Sequence, residues 1–119
     1  MKMMIVDDNP QIRQVIMELF SSEFNEFIEC ATGLEAVESF GKYNPDWTLM
    51  DIKMKEMNGI KATEFIIRKY PEAKIIIVTN YNDKLFIKNA LKAGAVELFP
   101  KEDLTKIPTY IKNFRNLFN

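Results

Sequence analysis

Four β-branched residues in a row, Ile75-Ile76-Ile77-Val78, leave a strand no polar face to turn toward water. Successive strand side chains point to opposite sides of a sheet, so a run that is apolar at every position is buried on both sides. A strand over residues 74–79 therefore belongs inside a sheet covered by helices above and below. The rest of the chain supplies those helices, in regular alternation with more short strands.

Further strands are expected at residues 3–6, 27–30, 47–50 and 96–99, the last followed by Pro100, which suits a sheet edge. Asn9-Pro10 opens a first helix, with Asn9 as N-cap and Pro10 where a missing N–H costs nothing. Ile12, Val15, Ile16, Leu19 and Phe20 form its apolar stripe. Thr32-Gly33-Leu34-Glu35 reads as a capping box before a second helix reaching residue 42. Gly59 opens a third, which turns Ile60, Thr63, Ile66, Ile67 and Tyr70 inward and stops at Pro71. A fourth, over residues 83–93, turns Ile87, Ala90 and Leu91 inward and Leu85, Lys88, Asn89 and Lys92 outward, and ends at Gly94. A fifth starts near residue 106, holds Pro108 in its first turn and buries Ile107, Ile111, Phe114 and Phe118. Five βα units with short connections demand a mostly parallel sheet, helices on both faces and right-handed crossovers. At 119 residues this is one domain, 1–119.

Composition removes several classes of function. With 16 basic and 17 acidic residues the net charge is −1, which gives no general attraction to nucleic acid or anionic lipid. No apolar run approaches the roughly 20 residues of a membrane helix, so a cytoplasmic protein without membrane contact is expected. The absence of histidine excludes His-based triads, His metal sites and phosphohistidine within this chain. The single Cys30 has no partner for a disulfide or a cysteine metal pair.

Ligands of open parallel sheets bind beyond the carboxyl ends of the strands. Those ends carry Asp7 and Asp8, Asp51, Thr79 and, just past the last strand, Lys101. Each alone reads as a turn, cap or surface residue. Together, three carboxylates repel one another and call for a cation. An all-oxygen set suits Mg²⁺, with Mn²⁺ as a substitute. A carboxylate nucleophile, a cation, an ammonium and a hydroxyl are the parts that phosphoryl transfer onto aspartate needs.

At these residues the sequence resembles the receiver domain of two-component response regulators, along its whole length. The resemblance rests on Ile5-Val6-Asp7-Asp8-Asn9, the stretch from Asp51-Ile52-Lys53 to Asn58-Gly59, Val78-Thr79, and Ala93-Gly94-Ala95 leading to Lys101. It implies a doubly wound α/β fold, a flavodoxin-like (βα)5 three-layer sandwich with five parallel strands in the order 2-1-3-4-5. It implies Asp51 as phosphoacceptor, Asp7 and Asp8 with the Lys53 backbone carbonyl as Mg²⁺ ligands, Thr79 as the switch hydroxyl and Lys101 as the phosphoryl-pairing lysine. It further implies a sensor histidine kinase or histidine phosphotransfer protein as donor. An output partner would be contacted through the face of helix 4, strand 5 and helix 5, where Leu85 lies, without direct nucleic-acid binding. Whether the domain stands alone or is joined to a DNA-binding output is left open.

Four positions depart from the family pattern: Leu98 stands where an aromatic is frequent, Lys55 where proline is, Pro100 precedes Lys101 instead of following it, and Asn80 replaces a small residue. Lys53 and Tyr81 are expected to set the lifetime of the phosphoryl group. Two rival classes fit less well. A dehalogenase-type phosphatase would carry an acid at Lys53, and a nucleotide-binding module would carry a Gly-rich or Ser/Thr-rich loop at Asp7–Pro10. A pseudo-receiver, a protein-interaction scaffold that takes no phosphate, is the remaining alternative.

Overall fold

The computed structural model describes residues 1–80 and 84–118, apart from the Phe118 side chain. Within them run β1 (Lys2–Val6), α1 (Pro10–Leu19), β2 (Glu26–Cys30), α2 (Gly33–Tyr43), β3 (Trp47–Met50), α3 (Gly59–Lys69), β4 (Ile75–Thr79), α4 (Lys84–Ala93), β5 (Glu97–Pro100) and α5 (Ile107–Phe118). The five strands pair in parallel in the order β2-β1-β3-β4-β5.

The isoleucine run does what its pattern demands. Ile75 and Ile77 face a core shared with Met4, Val6, Met50, Phe40 of α2, Ile66 of α3 and Ala90 of α4. Ile76 and Val78 face the opposite core, with Met3, Ile5, Leu49, Ile16 of α1, and Ile107 and Ile111 of α5. Full burial of each such side chain contributes about 1.5–3 kcal/mol, so β4 links two independent apolar layers through one strand.

Caps fix where the helices begin. Asn9 Oδ1 accepts the Gln11 N–H at 2.9 Å, and Thr32 Oγ1 accepts the Glu35 N–H at 3.0 Å. The Glu35 carboxylate reaches back to the Ala31 N–H at 2.8 Å, one residue earlier than a capping box requires. Asn58 caps α3 by accepting the Lys61 N–H at 2.9 Å. Gly94, at φ +113°, ends α4 as expected.

Several expectations need correction. Val15 is 49% exposed and Leu91 45% exposed, so neither lies on a buried stripe. In α1 Ile12, Ile16, Leu19 and Phe20 pack inward as expected, joined by Met17, and only Val15 of the expected stripe is left outside. In α4 the half-buried Phe86 packs against the core and leaves Leu91 outside. β5 runs one residue later than expected and includes Pro100, opposite Thr79. As the edge strand it pairs with β4 alone, so the missing N–H of proline disturbs no second ladder. Before α5 the chain makes a 3-10 stretch, Lys101–Lys106, kinked at Asp103.

Candidate functional site at the carboxyl edge of the sheet

The strand register sets the site. Val6 pairs with Met50, and Met50 with Ile77, so the central strands end nearly level. The ladder then continues by one residue: the Asp7 N–H donates to Cys30 O at 3.0 Å and the Asp51 N–H to Val6 O at 2.8 Å. Asp7 and Asp51 thus leave adjacent strands at the same height with rigid backbones. Both are buried, at 3% and 7% exposure, while Asp8 is exposed. One carboxylate oxygen from each of Asp7, Asp8 and Asp51 falls within 4.8 Å of the others, the one such group of acidic or other metal-binding side chains among the described residues.

Lys101 supplies a positive charge. Its Nζ stands 3.0 Å from Asp7 Oδ2 and 3.3 Å from Asp51 Oδ2. Pro100 immediately before it does not divert it from the acids. Asp7 Oδ1 is occupied by the Asn9 N–H at 2.9 Å, and Asp51 Oδ1 by the Ile52 N–H at 2.8 Å. Burial raises the Asp51 carboxyl above its ordinary range, the Asp7 charge adds to the rise, and Lys101 offsets part of it. For Lys101 burial favours the neutral amine, but hydrogen bonds and charges from Asp7 and Asp51 prevail and raise it. One ammonium therefore leaves the cluster short of positive charge. Hard oxygen donors at this spacing fit a small divalent cation.

The loop after Asp51 is tightly folded. Glu56 and Met57 both take left-handed backbone, at φ 50° and 84°, each costing roughly 1 kcal/mol in a non-glycine residue. The Glu56 carbonyl is tied to the Leu34 N–H at 2.9 Å, and the Gly59 N–H donates to Ile52 O at 2.8 Å. A Cβ on Gly59 would stand 1.7 Å from the Asp51 carbonyl oxygen, so glycine is what lets α3 start against the acceptor strand.

The other expected residues sort differently. Thr79 ends β4 beside the acid-bearing strands and is fully buried. Lys53 is exposed on a groove of about 400 Å³ between α3 and α4 that Ile52, Ile60 and Phe86 also line. Tyr81 lies outside the described residues. Leu98 is half-buried against the α3–α4 side, and Phe99 next to it faces the other layer, edge-on to Tyr110 at 5.4 Å. Leu85 is 62% exposed on α4, as its helical position suggested. Sequence reasoning missed Arg13, whose guanidinium touches the Asp7 carbonyl oxygen. Its signal was a cation in the first turn of a helix, where the helix dipole disfavours one.

Comparison with known proteins gives the same answer along the chain. Residues 3–112 match the family described as response regulator receiver domain. The transcriptional regulatory protein DegU of Brevibacillus brevis is 34% identical over 103 residues, covering 85% of this chain and 44% of that protein. The chain thus spans under half the length of that regulator. The chemotaxis protein CheY of Halobacterium salinarum is 37% identical over 94 residues, covering 79% of this chain and 78% of that one. Among solved structures, a chain of the CheX-CheY-BeF3-Mg complex from Borrelia burgdorferi superposes with TM-score 0.88 at 27% identity, covering 95% of this chain and 87% of its own. With its β2-β1-β3-β4-β5 sheet, its acids at the strand ends and a family match over nearly all of its length, the chain belongs to the response regulator receiver domains of two-component signalling.

Proposed function

We propose that this domain accepts a phosphoryl group on Asp51 from a phosphohistidine of a partner protein and acts as a switch. The observation that carries the reading is the placement of Lys101 between Asp7 and Asp51, with Asp8 completing an oxygen-only cluster. Asp7, Asp8 and Asp51 would hold Mg²⁺, with the Lys53 carbonyl as a further ligand. When bound, the ion would neutralise charge on the phosphoryl oxygens. An Asp51 oxygen attacks phosphorus, the P–N bond to the donor imidazole breaks with its electron pair returning to nitrogen, and an acyl phosphate remains. Lys101 moves from pairing with carboxylates to pairing with a phosphoryl oxygen. The Thr79 hydroxyl pairs with the new group, and this shifts a pre-existing equilibrium of the α4–β5–α5 face toward its partner-binding form. Lys53, two residues after Asp51, and Tyr81, two residues after Thr79, set how fast water removes the group.

The histidine-free sequence accords with a donor on another chain. Family membership also supports the reading, since receiver domains work with histidine kinases and output modules. The pseudo-receiver alternative draws no support from Pro100, because Lys101 reaches both acids regardless. Incubation with a small-molecule phosphodonor and Mg²⁺, followed by borohydride reduction, converts an aspartyl phosphate to homoserine. Peptide mass spectrometry should place that homoserine at position 51. Label at another acid, or none in a protein that binds Mg²⁺, would count against the reading.

A further inference from the structure

Arg13 contradicts helix electrostatics. It is the fourth residue of α1, where the positive end of the helix dipole disfavours a cation. Its side chain is nevertheless only 16% exposed. The guanidinium folds back over the end of the sheet, with Nη1 donating to the Asp7 carbonyl oxygen at 2.6 Å and Nε to Glu29 Oε1 at 2.9 Å. Glu29 lies near the end of β2, so the arginine joins α1, β1 and β2 beside the acid cluster.

The target of the short bond matters. The Asp7 carbonyl and the Asp8 N–H belong to one planar peptide, so fixing that oxygen fixes the plane from which Asp8 departs. The Asp7 side chain is already held by Asn9 and Lys101. The Asp8 carboxylate, exposed, has no hydrogen bond or ion pair among the described residues, yet one of its oxygens lies within 4.8 Å of oxygens of both other acids.

We propose that Arg13, anchored by Glu29, is a positioning residue for the cation site: it fixes the Asp7–Asp8 peptide so that the Asp8 carboxylate faces Asp7 and Asp51. This rests on the receiver chemistry proposed above. A lysine cannot replace it, since one ammonium lacks the planar fork that meets a carbonyl and a carboxylate together.

The test is Mn²⁺ titration, read by electron paramagnetic resonance, of wild type, Arg13→Ala, Arg13→Lys and Ile111→Val. The last is a mild core change in α5 that controls for lost stability. Arg13→Ala and Arg13→Lys should each weaken binding roughly 10-fold or more, as loss of an outer-shell partner does, with Ile111→Val unchanged. A metal-free readout accompanies it: the order parameter of the Asp8 amide should fall from about 0.85 toward 0.6 in Arg13→Ala. Unchanged Mn²⁺ affinity in Arg13→Ala, equal weakening in Ile111→Val, or full rescue by lysine would each overturn the inference while leaving the receiver reading intact. Failure of the wild type to bind Mn²⁺ would remove that reading and the inference with it.

Discussion

Lys101 Nζ stands 3.0 Å from Asp7 Oδ2, closer than the 3.3 Å that separates it from the acceptor Asp51. The lysine is thus a bridge between two acids on adjacent strands. Replacing it leaves both without their cation. Lys101→Met should lose about 2 kcal/mol in metal-free buffer, the typical worth of charged hydrogen bonds at this burial. Mg²⁺ should restore more stability to this variant than to the wild type, because the ion takes over the missing charge. Urea midpoints with EDTA and with Mg²⁺ check both statements.

Asp51 gives a pH dependence of defined sign. Its carboxyl is raised in the fold, first by burial and then by Asp7, above the 3.8 of the unfolded chain. A raised carboxylate binds its proton more tightly when folded, so its contribution to stability falls as pH rises from about that value through the folded one. Asp51→Asn removes this penalty. In metal-free buffer the variant should be more stable than wild type at neutral pH, and the advantage should shrink as pH falls below the carboxylate range. Denaturant midpoints across pH measure it.

Two buried polar atoms have no partner among the described residues, Trp47 Nε1 and Thr48 Oγ1. Thr48 is fully buried on β3, and a buried hydroxyl without a hydrogen bond costs roughly 1–3 kcal/mol. Thr48→Val keeps the shape and removes the hydroxyl. It should stabilise the protein by about 1 kcal/mol, seen as a higher thermal midpoint, with phosphorylation unaffected.

Gly59→Ala should do the opposite. A methyl group 1.7 Å from the Asp51 carbonyl oxygen is backbone against backbone, with no flexible side chain to yield. Loss of stability should be about 2 kcal/mol or more. Because the clash is at the acceptor residue, phosphorylation should slow even under conditions where the variant remains folded. Parallel circular dichroism and phosphorylation rates separate the two effects.

Much of this was legible in the residues themselves. The Ile75–Val78 run, the caps at Asn9 and Thr32 and the acids at the strand ends sufficed for the alternating fold and for the convergence of Asp7, Asp8, Asp51 and Lys101. Strand order came from family resemblance, since hydrophobic pattern does not say which strands are neighbours. Val15 and Leu91 were misplaced because helical periodicity marks an apolar arc but not which part of it a neighbouring layer covers. Arg13 showed only as a misplaced charge in a helix's first turn, because its partners, Glu29 and the Asp7 carbonyl, come from other elements of the chain. Trp47, a natural optical probe, sits at the far end of β3 from Asp51, about 13 Å along the strand at the usual rise. It packs edge-on to Phe114 of α5 at 5.1 Å, so its emission reports that helix before it reports the site.

The most direct test of the central claim is intact-mass spectrometry after incubation with acetyl phosphate, with and without Mg²⁺, on wild type and Asp51→Asn. A single phosphoryl adduct is expected on the wild type, requiring Mg²⁺ and absent from the variant. An adduct of equal yield on Asp51→Asn, or one formed as readily in EDTA, would contradict that claim.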